Sequence, residues 1–465
     1  MKAINKDILK LAIPSILANI TVPIVGMVDI AVAGHLDTQA ATMIGGIAIG
    51  TMLFDLLYWN FGFLRVGTGG LTAQAFGKGD RRECATIFAR AIGISLACAL
   101  ALIAIQWIFV KAAFLVVECT PEVQALASQY FFIRIWAAPA TLSLMAFKGW
   151  FIGMQDSVSP MLTDLTVNGM NVLMSFVLAL GIKSIGYEGM GFPGIAAGTV
   201  AAQYSGLLVA VLLAVFKYRR NTFSTLSLSD LKGVFKGSET RRFFVMNTDL
   251  FVRSLCFIAI YIGFTVISAR YGDLLLAVSS IMMKLLMIFS YFTDGFAYAG
   301  EAMTGKYIGA KDDVMLRQTV KWTFVWSMGI ALIFIGIYYF AGVPFLRMMT
   351  SDAAVVSASE EYLPWLLLMP VIGCAAFTWD GIYIGATASK AIRNSMLWAV
   401  VGFVAVWFAG IFCLNAFAPS DILSDSEGYT RYGRIAMHIL MAAYFAHLLA
   451  RTIYLSAKYR KVVHI

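Results

Sequence analysis

The sequence predicts an all-α integral membrane protein, with twelve transmembrane helices arranged as two parallel six-helix repeats. Three observations predict it. The 465 residues are 60% hydrophobic and 13% charged, with a mean hydropathy of +0.80, whereas soluble domains are roughly 45–50% apolar and about 25% charged. Twelve apolar runs reach the roughly 20 residues that a span needs. The second half of the chain also aligns with the first, with Thr72 on Thr304 and Gly77 on Gly309.

The elements follow in order. The start "MKAINKDILK" resembles the basic end of a signal peptide. The apolar run 11–33 behind it is too long for one and lacks a cleavage site, so it reads as a retained first span. The remaining spans of the first half are 42–64, 86–110, 124–150, 157–182 and 192–216. The polar segment 217–242 divides the chain, and the second half spans 243–268, 274–300, 318–341, 356–385, 394–416 and 434–457. The expected domains are therefore an N-terminal lobe 1–216, a cytoplasmic linker 217–242 and a C-terminal lobe 243–465.

Loop charge sets the orientation. With the N-terminus inside, 26 of the 35 Lys and Arg residues fall on the cytoplasmic side, including the last four of the chain. Six fall outside: Lys111, Lys183, Arg270, Arg347, Arg431 and Arg434. This is a strong positive-inside bias. It places both termini in the cytoplasm of a multi-pass cell-membrane protein, the inner membrane in bacteria. It also accounts for the net charge of +9 without nucleic acid. The six scattered cysteines read as small apolar packing residues. The four histidines show no metal-ligand spacing.

The internal repeat joins distant segments at one constant offset. "LTAQAFGKGD" (71–80) falls on "MTGKYIGAKD" (303–312), "GWFIG" (149–153) on "GIYIG" (381–385), and Tyr130 on Tyr362. An even number of spans per half makes the repeats parallel, related by an axis along the membrane normal. Two such bundles suit alternating access.

Several stretches carry a family resemblance. "LAIPSILANITVPIVGMVDIAVAGHL" (11–36), "FGFLRVGTGGLTAQAFGKGD" (61–80), "NTDLFVRSL" (247–255), "SYFTDGFAYAGEAMTGKYIGA" (290–310) and "WDGIYIGATAS" (379–389) resemble helices one, two, seven, eight and ten of the multidrug and toxic compound extrusion (MATE) transporters, DinF-like branch. The resemblance runs nearly end to end. It implies a twelve-helix antiporter of two lobes, exporting amphipathic, often cationic compounds by using a proton or sodium gradient. Its partners would be a small-molecule substrate and the bilayer, with the protein working as a monomer.

Ionisable residues inside spans are costly and therefore candidates for function. Asp29 lies six residues after Pro23, whose ring breaks a backbone hydrogen bond and kinks the helix. Desolvation penalises a charged acid, so an aspartate here is suited to carry a proton. Structural glue is the alternative. The repeat mate of Asp29 is Tyr261, so the acid is not part of the symmetric scaffold. Many relatives carry an Asn and, four residues later, an Asp on helix five; here these positions are Asn171 and Ser175. Asn168 and Asn171 are expected to hydrogen-bond Asp29 or to join helices.

Asp249 and Arg253, four apart on helix seven, can meet as an ion pair. Asp294 and Glu301 share a face of helix eight, Glu301 being expected to be hydrated at the cytoplasmic end. Lys284, at mid-span, requires a partner among Asp294, Asp55 and Asp29. By resemblance Asp380 stands at a cation-site position; its repeat mate is Lys148. Arg134 is expected to pair with an acid across the bundle.

Proton coupling through Asp29, with helix one bending at Pro23, is the leading expectation, with no bound cofactor or metal. A lone Asp beside neutral residues suits H+ better than Na+. The alternatives are a sodium-coupled exporter and a flippase for lipid-linked saccharides, which would favour a more cationic cavity. No nucleophile–base pair, HExxH or GxxxxGK[ST] motif is present. The sequence thus excludes recognisable enzyme and direct ATP-driven classes.

Overall fold

The computed structural model describes residues 2–34, 40–115, 117, 119–182, 186–226, 233, 238–350, 352–417 and 431–462. His35, Leu36, Lys183, His464 and most of 227–237 in the expected linker lie outside the described residues. Among the described residues there is no strand, and one isolated antiparallel bridge joins Ile182 to Tyr187.

The helices are α1 (Lys2–Gly34), α2 (Ala40–Trp59), α3 (Phe63–Gly77), α4 (Arg81–Ala113), α5 (Pro121–Arg134), α6 (Ala138–Gly153), α7 (Val158–Leu180) and α8 (Phe192–Tyr218). After the linker come α9 (Ser238–Ala269), α10 (Asp273–Ala310), α11 (Asp313–Met349), α12 (Ala353–Glu360), α13 (Leu363–Gly385), α14 (Ser389–Phe417) and α15 (Arg431–Val462). Among the described residues, eleven continuous segments are long and apolar enough to cross a membrane, α2–α3 and α5–α6 each counting as one. The 33-residue α1, with Pro14 and Pro23 inside it, supplies the twelfth long helix.

Two boundaries differ from the sequence reading. The second span continues through α3 to Gly77 after a turn at 60–62, so "LTAQAFG" is helical rather than loop. The tenth is divided at residues 361–362 into α12 and α13, because Pro364 lacks the amide that a continuous helix would use.

The repeat is written into local geometry. Asp80 caps α4 by accepting from the Glu83 amide, and Asp312, its mate, caps α11 by accepting from the Met315 amide. Thr120 and Asp352, also mates, cap α5 and α12. A side-chain oxygen at each start satisfies an orphan amide. Gly79 and Lys311 share a positive φ, as do Gln155 and Thr387. A Cβ on Gly149 would sit 2.1 Å from the Arg65 carbonyl oxygen; on Gly381 it would sit 2.1 Å from that of Ala297. These pairs are mates too, so the helix contact is built twice.

The chain forms two compact units. One contains residues 10–247 and 305–311; the other contains 1–9, 248–304 and 312–465. The first packs Phe54 on Phe131 with ring centres 4.7 Å apart, and Trp150 donates its indole N–H to the Cys84 carbonyl at 2.8 Å. The core of the second includes Phe264, Phe289, Phe334 and Tyr338. Tyr338 is an aromatic whose hydroxyl reaches the Leu285 carbonyl at 2.6 Å, satisfying its polar end inside the apolar core.

Candidate functional site

The first unit gathers the helix-one acid with polar residues of α7. Asp29 is buried, with 6% of its surface exposed. Ser175 Oγ donates to Asp29 Oδ1 at 3.2 Å. Asn168, two turns earlier on α7, donates from Nδ2 to Thr21 Oγ1 at 2.5 Å. Thr21 lies before Pro23 and Asp29 beyond it. The two contacts of α7 therefore grip α1 on either side of the residue that cannot donate to its helix.

Asn171 departs from the sequence expectation. Its Nδ2 donates to Thr199 Oγ1 on α8 at 2.9 Å rather than to Asp29. Its Oδ1 is buried and has no hydrogen-bond partner among the described residues. Asn171 is four residues before Ser175, hence on the same face of α7 one turn away. Asn168 likewise bonds Thr21 and not Asp29, because it lies two turns from Ser175 and meets a different turn of α1.

Arg134 closes the last turn of α5. It donates from Nη1 to Tyr130 Oη at 3.0 Å, and its guanidinium lies 4.7 Å from the Phe54 ring centre. Both Asp29 and Asp55 are within its electrostatic reach. Among the described residues no ion pair forms between Arg134 and an acid; aromatic faces hold the cation instead. Asp55 is exposed on α2. On the neighbouring α6 and α7, Lys148 and Asp164 pair at 2.7 Å.

The second unit rearranges the expected charges most. The Asp249–Arg253 pair does not form. Asp249 accepts instead from Arg393 Nη1 at 2.6 Å and Ser389 Oγ at 2.8 Å, both on α14. Arg253 Nη2 donates to Asp380 Oδ2 at 2.8 Å. Arg451 on α15 donates to the same oxygen. Two guanidiniums thus clamp Asp380, whose residue is 7% exposed. Spacing of four permits a pair on one helix, but better-placed partners on other helices win.

Arg451 went unrecognised in the sequence because it sits near the end of the last span and counts there as a cytoplasmic charge. It is 2% exposed. The available signal was an arginine inside the apolar run "AHLLARTIYL". His447 lies one turn before it, fully buried, with Nδ1 against the Tyr444 carbonyl. Glu301 is also fully buried, not hydrated at a helix end. Asp294 is partly exposed and Lys284 exposed on α10. Lys284 meets none of its expected acids as an ion pair among the described residues.

The charge clusters differ in what they can do. The clamp neutralises Asp380 with fixed cations and leaves it no room to exchange charge without breaking two contacts. Asp29 is met by a hydroxyl, so its protonation breaks no ion pair among the described residues.

Comparison with known proteins gives a consistent picture. The MatE family profile matches residues 14–177 and 250–406. The chain is 33% identical over 401 residues to DNA damage-inducible protein F of Escherichia coli (strain K12), covering 86% of this chain and 84% of that one. It is 23% identical over 434 residues to a "Probable multidrug resistance protein NorM" of Photorhabdus laumondii, covering 91% and 90%. A crystal structure of MATE in the bent conformation superposes with a TM-score of 0.80 at 15% identity, covering 99% of this chain and 96% of the other.

Proposed function

The chain belongs to the MatE family of multidrug and toxic-compound efflux transporters, which are not enzymes, and from that premise we propose that it is a proton-coupled antiporter of amphipathic compounds in which Asp29 carries the proton. The observation that carries this reading is the grip of α7 on both sides of Pro23, with the acid itself forming one of the two contacts.

The cycle follows from the bonds. Ionised, Asp29 accepts from Ser175 and keeps the outer part of α1 against α7. Once protonated, its oxygen is a poorer acceptor for Ser175, and its O–H needs an acceptor of its own. The buried Asn171 Oδ1, one turn away on the same face, is an unfilled one. Satisfying it recovers the cost of a buried unpaired acceptor, about 1–3 kcal/mol. The part of α1 beyond Pro23 then shifts along α7, while Asn168 still holds Thr21 as the pivot. That shift alters the space beside α1 and expels substrate.

H+ rather than Na+ fits this neighbourhood. A proton needs a single oxygen, while a sodium ion needs several. The two lobes and their linker are proposed as the sequence divides them, 1–216, 217–242 and 243–465, with both termini cytoplasmic.

The test uses purified protein in proteoliposomes. Asp29→Asn is expected to abolish export driven by a pH gradient while leaving a folded protein. Full activity in the mutant, or export by wild type only under a sodium gradient, rejects the reading.

A further inference from the structure

The second unit holds a cation that the clamp around Asp380 does not use. On α10, positions 284, 291 and 298 recur every two turns and place Lys284, Tyr291 and Tyr298 on one stripe, with Asp294 at its edge. The opposite side is packed: Met282 and Leu286 are both 0% exposed. Lys284 is exposed. Among the described residues it forms no hydrogen bond or ion pair.

Depth decides what the exposed lysine faces. It stands eleven residues beyond Asp273, the first residue of α10, or roughly 16 Å along the axis. That is about half the roughly 30 Å thickness of the hydrocarbon core. A charge facing acyl chains there costs several kcal/mol, and a side chain snorkels only near a helix end. A stripe that continues as Tyr291 and Tyr298, with Asp294 at its edge, is likewise not a lipid-facing surface. The face of α10 that carries Lys284 therefore fronts water inside the protein.

We propose that Lys284 is the specificity-determining residue for substrates bearing an acidic group, so that the exported compound is an amphipathic carboxylate or sulfonate. This rests on the export reading above and departs from the cationic substrates that the family resemblance implies. An unpaired ammonium beside low-dielectric walls attracts an anion far more strongly than it would in bulk water. It also repels a cation of the same shape. Met287 and Tyr291, one and two turns further along the same face and partly buried, offer a flexible thioether and a flat ring to the apolar body of the ligand.

The test compares two fluorescent probes, a dansylated taurocholate carrying a sulfonate and the cation ethidium. Binding to the detergent-purified protein is measured by anisotropy and export by proteoliposomes. Wild type is expected to bind and export the sulfonate. Lys284→Gln is expected to raise its Kd about tenfold, the loss of one charge-assisted hydrogen bond, without weakening ethidium binding. Lys284→Arg is expected to restore the sulfonate. Equal sulfonate affinity in wild type and Lys284→Gln overturns the proposal. So does wild type binding ethidium alone or neither probe, or the same change for both probes in Lys284→Gln, which would make Lys284 an internal counter-ion. If sulfonate binding depends on Lys284 but a pH gradient drives no export, the coupling reading fails and this one stands.

Discussion

Asn168 and Ser175 stand two turns apart on one face of α7 and hold α1 on opposite sides of Pro23, through Thr21 and Asp29 respectively. The proline lets α1 bend between two fixed points, and of the two only Asp29 is ionisable.

The two contacts should therefore separate in their effects. Ser175→Ala and Asn168→Ala are each expected to cost about 1 kcal/mol of stability. Ser175→Ala should loosen the amides near Asp29 in hydrogen exchange, and Asn168→Ala those near Thr21. An identical exchange pattern in the two variants would remove the pivot from the mechanism.

Asn171→Ala is expected to leave substrate binding intact while shifting the pH dependence of export, because the acceptor for protonated Asp29 is gone. Asn171→Asp should shift it in a different way, by offering the proton a second carboxylate. Unchanged pH profiles in both variants would exclude Asn171 from the proton path.

The clamp on Asp380 makes a stability prediction rather than a coupling one. Arg451→Met leaves a buried acid with Arg253 as its remaining ion-pair partner, and is expected to destabilise the protein by about 3–5 kcal/mol. Asp380→Asn leaves the buried Arg451 and the half-buried Arg253 without their carboxylate and should be similarly harmful. The double variant Asp380→Leu with Arg451→Met should recover much of the loss. Thermal unfolding in detergent measures all three, and a single variant with wild-type stability would contradict the clamp.

Acid sensitivity should arise at Asp156, in the turn between α6 and α7. Burial pushes its carboxyl up. The hydroxyl and amide of Ser159 and the Lys217 ammonium outweigh burial and hold it below the ordinary aspartate value. A carboxyl depressed on folding stabilises the protein above its unfolded value, near 4, and the contribution is lost as pH falls through the folded value. Asp156→Asn should thus lower the melting temperature at pH 7, with the gap to wild type closing below about pH 4. A gap that persists at low pH would count against an ionic contribution.

Gly149 and Gly381 let neighbouring helices meet at backbone distance, once in each unit. Valine at either position is expected to cost about 1–3 kcal/mol or to prevent folding, since the clash is with a carbonyl oxygen rather than a movable side chain. Normal yield and melting temperature in both variants would disprove the close contact.

Much of this was legible in the sequence because it depends on local or periodic information. Hydropathy finds spans, since each must be apolar over its length. A constant offset finds the repeat, since caps such as Asp80 and Asp312 and turns such as Gln155 and Thr387 are set by neighbouring residues. Pro23, Asp29 and the exchange of a carboxylate for Ser175 were equally visible. The partners were not. Asp249 and Arg253 satisfy the spacing for an ion pair, yet each bonds to another helix. Arg451 looked like a terminal charge, and Glu301 a hydrated one, until burial was known.

By itself the sequence determined a twelve-span membrane protein with an internal repeat, a kinkable first helix and an acid in it. The tertiary structure alone decided which charges neutralise one another, that α7 grips α1 on both sides of Pro23, and that Lys284 stands exposed on α10. The physical reason is that helical periodicity tells which residues share a face of one helix. The partner of a buried charge is chosen by how separate helices pack, across separations in sequence that no local pattern records.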